Sequence, residues 1–143
     1  MKERHTVCDT TREAYKHWTS INLRYGDTDR QGHINNAVFC TLLESGRVAF
    51  LFEGQNSVAG EGTSFVIAKL SLDYLAEMHF PGDAEVGSKI LSLGRTSFRV
   101  GQAIFCGEKC HSTAESIIVV LDSQSGKPTP LTEQLQERLL SLN

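Results

Sequence analysis

Residues 24–51 read RYGDTDRQGHINNAVFCTLLESGRVAFL, and the change of character inside this stretch sets the architecture. Its first third is dense in Gly, Asp and Asn, the residues of a loop. Asn35 and Asn36 are N-cap types, and AVFCTLLESGRVAFLFEG follows as a helix of about 16 residues. Phe39, Leu42, Leu43, Phe50 and Leu51 spread around most of that helix, interrupted by Thr41, Glu44 and Arg47. A helix apolar nearly all round is a buried one. Gly46 in its middle costs about 1 kcal/mol of helix propensity against Ala, which predicts close approach by another backbone. Upstream, TSINLRY (19–25) alternates apolar and polar residues as a half-buried strand does, and the first 18 residues read as a loose lead-in with some helical character.

Downstream the period changes to two. From about residue 63, Val66, Ala68, Leu70, Leu72 and Tyr74 fall on one face of a strand, with Lys69, Ser71 and Asp73 on the other. His79 to Asp83 makes a turn. Residues 84–94, 96–106 and 110–122 read as three more strands, the second with Phe98, Val100, Ile104 and Cys106 on one side. SQSGKPTP is a loop, and Thr132 caps a short amphipathic helix using Leu135, Leu139 and Leu142. Strand, long helix, four antiparallel strands and short helix make an α+β domain over 1–143, with a curved sheet wrapped around one helix.

Composition excludes several classes. The chain has 143 residues, enough to bury roughly 68–70% of its unfolded surface in one domain. With 14 Lys+Arg against 17 Asp+Glu, the net charge of −3 gives no broad positive field, so no nucleic-acid partner is expected. The longest purely aliphatic run, Ile117 to Leu121, is far shorter than the roughly 20 residues that span a bilayer. The polar N-terminus lacks the apolar stretch of a secretory signal, and the expected address is cytoplasmic, away from membranes. Cys8, Cys40, Cys106 and Cys110 are irregularly spaced and read as reduced packing thiols, Cys40 buried in the helix. Cys106 and Cys110 flank a tight turn that would allow a hairpin disulfide, or half of a zinc site with His111 beside it, but no second ligand pair accompanies them.

The chemistry-bearing segment is GDTDRQGHINN, two carboxylates and an imidazole just before a helix N-terminus. Asp27, Asp29, Gln31 and Gly32 match the opening of a calcium loop, but its closing bidentate Glu is Val38 here. Asp27, Asp29 and His33 would also serve as three ligands for another metal. A plain strand-to-helix connection accounts for the same residue types. Catalysis is the third reading. Unpaired N–H groups at a helix N-terminus polarise a carbonyl and stabilise an oxyanion, at about 3–4 kcal/mol per donor. A nearby carboxylate then activates water or attacks directly, which suits hydrolysis of an ester-like bond.

The segment resembles the signature of the hotdog-fold acyl-CoA thioesterases of the 4-hydroxybenzoyl-CoA thioesterase type: Asp-x-Asp, the following Gly-His, the Asn-Asn pair and Glu44-x-x-Arg47. The order of elements agrees over nearly the whole chain, including Gly94 to Phe98. The sequence departs from that pattern at Val38-Phe39, where many relatives carry Tyr, and at Gly46, where Ala is common.

The resemblance implies hydrolysis of acyl-CoA to free acid and CoA by a homodimer or homotetramer, with each acyl site lined by two subunits and no metal or redox cofactor. It implies Asp29 as nucleophile or general base, and the Asn36 amide as the group that polarises the thioester carbonyl. Gly32 and His33 would shape the loop, Gly32 and Asn35 would lie on the substrate side, and His33 would orient the carboxylate or contact the thioester. Arg95, Thr96 and Ser97 match a segment that in relatives lies near the CoA phosphates or pantetheine. Asp27 reads better as a loop-organising acceptor than as a second acid. Glu44 either pairs with Arg47 or serves as a substrate-side carboxylate. A hotdog dehydratase or hydratase, and an acyl-CoA-binding module without turnover, remain alternatives.

Overall fold

The computed structural model describes residues 9–53 and 56–143. In chain order the elements are β1 (His17–Asn22), α1 (Asn36–Leu51), β2 (Phe52–Glu53), β3 (Asn56–Ser57), β4 (Thr63–Tyr74), β5 (Asp83–Leu93), β6 (Ser97–Cys106), β7 (Lys109–Asp122) and α2 (Glu133–Ser141). Five strands form one antiparallel sheet in the order β1–β5–β6–β7–β4, with α1 packed on β5, β1 and β6. This is the expected α+β arrangement of a curved sheet on a long helix. Among the described residues, no helix is long and apolar enough to cross a membrane.

The helix begins where its cap predicts. Asn35 Oδ1 accepts from Ala37 N at 2.9 Å, satisfying one of the first-turn donors. Its burial differs from the all-round pattern expected. Phe39, Leu42, Leu43, Gly46, Phe50 and Leu51 form one buried stripe, while Cys40, Thr41, Glu44, Ser45, Val48 and Ala49 are exposed. The apolar residues recur at i, i+3 and i+4, so they converge on one face, and five strands cover only that face. Cys40, expected to be buried, sits on the open one.

Gly46 does mark a close approach, but to side chains of the sheet. A Cβ there would fall 2.5 Å from Val86 Cγ1 and 3.1 Å from Gln102 Nε2. Beside it, the buried Gln102 amide donates to Leu43 O at 3.0 Å and to Ser88 Oγ at 3.1 Å. A buried amide that pairs with a helix carbonyl fixes the helix along the strand, because any slide would leave both groups unsatisfied.

Strand β4 lies at the sheet edge and carries a bulge between Ile67 and Lys69 that strict alternation cannot anticipate. Before the bulge Phe65 faces the core, its ring 5.1 Å from that of Phe98, and Val66 is 42% exposed. Beyond it Leu70 and Leu72 pack inward as expected. Val66 is therefore not on their face.

The lead-in is also better packed than expected over its described part, residues 9–18. Tyr15 is buried with Ala103 and Phe105 on the sheet face opposite α1, and the Arg12 guanidinium lies 4.3 Å from the Trp18 ring centroid. Cys8 and residues 1–7 lie outside the described residues. Cys106 and Cys110 are unlinked, and burial pushes both thiols up from the ordinary cysteine pKa. Thr132 Oγ1 caps α2, whose Leu135 and Leu139 are buried.

Candidate active site

The loop between β1 and α1 is organised around its two carboxylates, which do different work. Asp27 is buried. Its Oδ2 accepts from Arg24 N at 2.8 Å, and its Oδ1 accepts from Arg24 Nη2 at 2.8 Å and Nε at 3.2 Å. The Asp27 carbonyl accepts from Asn35 N at 2.9 Å, tying the turn to the helix start. Asp27 is thus the loop-organising acceptor expected.

The hydrogen bonds from the Arg24 side chain, and then from its backbone, hold the Asp27 carboxyl below the usual carboxylate range. A depressed carboxylate stabilises the folded chain above its unfolded pKa of about 3.9, and that contribution disappears as pH falls through the lower folded value. Asp27→Asn is accordingly expected to lower the urea midpoint at neutral pH. The gap from the parent should shrink steadily in acid, read from urea melts between neutrality and about pH 2.

Asp29 points the other way. Its Oδ1 accepts from Gln31 N at 2.8 Å and His33 N at 3.1 Å, while Asp29 N donates to His33 O at 2.7 Å. Gly32, at φ +89°, supplies the left-handed turn that closes this ring, and Gly32 N donates to Asp29 O. Among the described residues Oδ2 of Asp29 has no donor. The carboxylate is half-buried, held by one oxygen and free at the other.

The N-terminus of α1 completes the arrangement. Ala37 N is taken by the Asn35 side chain and Val38 N by the Asn35 carbonyl at 2.8 Å. Asn36 N has no acceptor among the described residues. A cavity of about 340 Å³ is lined by Asp29, Gln31, His33, Asn36, Phe39 and Tyr74, together with Ile34 and Leu75 to Glu77. Asp29 and the helix-tip residue Asn36 therefore line the same space, a carboxylate and a helix N-terminus side by side.

Two other expected groups stand apart. Glu44 lies about two turns along α1 and lines a separate cleft of about 380 Å³ with Cys40, Thr41, Arg47 and Ile67 to Leu70 of the β4 edge. It makes no direct ion pair with Arg47, which reaches Gln102 Oε1 at 3.4 Å instead. Arg95 and Thr96 lie in the β5–β6 turn and Ser97 opens β6. That turn lies at the opposite end of the sheet from Asp29, whose loop follows the Asn22–Asp83 end. One chain does not bring them together.

Residues that sequence reasoning missed come from 74–79. Tyr74 Oη donates to Asn36 O at 2.9 Å, and its ring lies 5.1 Å from that of Phe39. His33 and His79 face each other in an antiparallel bridge, and Glu77 Oε1 lies 3.2 Å from His33 Nε2. Asp27, Asp29 and His33 do not gather as a ligand set. Among the described residues the one group of three potential ligands is His33, Glu77 and His79.

Fold, loop and helix tip together define a hotdog thioesterase, and comparison with known proteins agrees. Residues 23–139 match the family model described as the Thioesterase-like superfamily, and the chain belongs to that family. It is similar in structure to the PA5185 protein of Pseudomonas aeruginosa strain PAO1, with a TM-score of 0.82 and 26% identity over 94% of this chain and 96% of that one. A thioesterase from Thermus thermophilus, solved with coenzyme A and Zn, gives a TM-score of 0.78 and 27% identity over 91% and 96% of the two chains. In sequence it is 26% identical over 119 residues to the acyl-CoA thioester hydrolase YbgC of Escherichia coli O6:H1, covering 80% of this chain and 89% of the other.

Proposed function

We propose that this thioesterase hydrolyses an acyl thioester of coenzyme A, or of an acyl carrier, to the free acid and the thiol. The observation that carries this reading is that one cavity is lined by both Asp29, whose Oδ2 is without a donor among the described residues, and Asn36, the first residue of α1. Similarity to a CoA-bound thioesterase and to an acyl-CoA thioester hydrolase supports the choice of substrate class.

With Asp29 as general base, its carboxylate takes a proton from water as the water oxygen bonds to the thioester carbon. The carbonyl oxygen becomes an oxyanion facing Asn36 N–H, which is worth about 3–4 kcal/mol of transition-state stabilisation. The C–S bond then breaks and the thiolate leaves with the proton from Asp29. With Asp29 as nucleophile, its carboxylate oxygen bonds to the thioester carbon and the C–S bond breaks, so the thiolate departs and a mixed anhydride remains. Water hydrolyses that anhydride to the free acid and the Asp29 carboxylate, with one proton passing to the thiolate. Either route uses the chain's own groups and water, with no metal or redox cofactor in the reaction. His33, locked to Asp29 through its backbone, contacts the thioester from the cavity wall. Gly32 and Asn35 keep the loop and cap in register.

The active unit is a homo-oligomer joined across the open edge of β4. Exposed Val48, Val66 and Ile67 along that side favour burial by a second copy. Antiparallel pairing of two such edges sets the far end of one sheet beside the near end of the other. That pairing supports contacts of Arg95, Thr96 and Ser97 with the CoA portion bound in the partner's site, and of Glu44 with the acyl portion. Unlinked Cys40, Cys106 and Cys110 fit a cytoplasmic address.

The test is thiol release from a panel of aliphatic and aromatic acyl-CoA thioesters. Stoichiometric free thiol is expected, with turnover varying by chain length. Binding without thiol release, or loss of the conjugated absorbance of crotonyl-CoA by hydration, would overturn the reading.

A further inference from the structure

The rim of the cavity carries three side chains that hydrolysis at Asp29 leaves unused as a set. His33 and His79 sit opposite each other in their bridge, with ring centroids 5.0 Å apart and planes at 79°. Glu77 lies two residues before His79 in extended chain, so both project to one side, while Met78 between them is fully buried. The 74–79 segment is anchored on both flanks. Ile34 N donates to Met78 O at 2.7 Å, and Leu75 N and Ala76 N donate to His111 O at 2.9 and 3.2 Å.

We propose that His33, Glu77 and His79 form a site for a divalent d-block cation of the zinc class, and that the bound ion restrains hydrolysis. Their ligand atoms all lie within 4.8 Å of one another. The Glu77 Oε1 to His33 Nε2 separation of 3.2 Å matches the roughly 3.3 Å between two ligands bound tetrahedrally at about 2.05 Å. Two imidazoles and one carboxylate select Zn2+, Co2+, Ni2+ or Cu2+ over Mg2+ and Ca2+, which prefer all-oxygen shells. Glu77 and His79 are exposed, so an ion can enter and a fourth position stays open for water.

The inhibitory half rests on the catalytic reading of Asp29. His33 N is bonded to Asp29 Oδ1, and His33 and Glu77 line the cavity, so an ion held by them stands at the cavity wall beside Asp29 and narrows the space left for a thioester. It also pins the imidazole against the incoming thioester.

The test uses the full chain stripped with chelator and titrated with ZnCl2 by calorimetry, with CoCl2 followed by visible absorption and MgCl2 as the comparison. One Zn2+ per chain, four-coordinate Co2+ bands and no Mg2+ binding are expected. Second-sphere partners alone change metal affinity by 10–100-fold, so His79→Ala should weaken Zn2+ by at least about 100-fold and abolish the Co2+ bands. Absence of stoichiometric Zn2+ binding, or binding unchanged in His79→Ala, overturns the site. These readouts need no turnover, so they stand even if no acyl-CoA is hydrolysed.

Turnover should be followed by loss of thioester absorbance, because Zn2+ captures free thiols. Saturating Zn2+ is expected to slow the parent at least tenfold, reversibly with chelator. His79→Ala should resist Zn2+, turning over at the same rate with and without the ion. Zn2+ bound through His79 with turnover unchanged would overturn the restraint and leave the site standing.

Discussion

Asp29→Asn is expected to lower thioester turnover by about 10²–10⁴-fold, the range for loss of a positioned acid–base group, while leaving the fold intact. The substitution is close to a pure test of charge. An asparagine keeps Oδ1 as the acceptor for Gln31 N and His33 N, so the ring of bonds that shapes the loop is retained. What disappears is the carboxylate's second oxygen, the one without a donor. Loss of kcat with little change in KM or in the urea midpoint would assign Asp29 to the chemical step. Unchanged turnover would remove it from the mechanism. Asp27→Asn supplies the contrast: it breaks bonds to Arg24 on the far side of the loop, so its cost should fall more on stability than on rate.

Phe39→Ala is expected to destabilise the fold by about 3–5 kcal/mol, the usual cost of truncating a buried aromatic. Phe39 is 2% exposed, belongs to the cluster of Leu23, Ile34, Leu42, Leu43, Val86 and Ile104, and meets the Tyr74 ring edge-on. A domain of this kind has about 5–15 kcal/mol in total, so the variant should unfold at a visibly lower urea midpoint with a similar slope. A loss below about 1 kcal/mol would mean that the first turns of α1 are not seated on the sheet, and that the helix tip is poorly placed for any role at Asp29.

Local signals placed most of the fold. The Asn35 cap, the change of period after residue 62 and the tight turn between Cys106 and Cys110 set the start of α1 and the bounds of β5 to β7 within about a residue, whereas the helix stretch taken to residue 54 ends at Leu51 and the strand expected over 19–25 runs His17–Asn22. The short β2–β3 hairpin escaped notice, since two-residue strands leave no periodic trace. Exposure of Cys40 and Val48 escaped for another reason: residue type shows what can be buried, whereas coverage depends on how far five strands reach. The Ala68 bulge reversed the side assigned to Val66, a one-residue event invisible to alternation.

The same division holds at the candidate site. Asp29, Gly32, His33 and Asn36 were legible because they are close in sequence and precede a capped helix. Tyr74, Glu77 and His79 were not, because they reach the loop only through a long-range bridge. Glu77 and His79 lie two residues apart, and of the two only His79 falls in an element expected from the sequence, the turn His79 to Asp83.

Gln102 and the missing side chain at Gly46 act as a locating pin for α1. The pin sits on the covered face, about three turns from the first residue of α1, and sets how far the helix tip protrudes toward the Asp29 loop. Cys40, Thr41, Glu44 and Ser45 take no part in it. Substitutions along the open flank of the helix therefore leave the pin untouched, so that face can change while the seating of α1 on the sheet is kept.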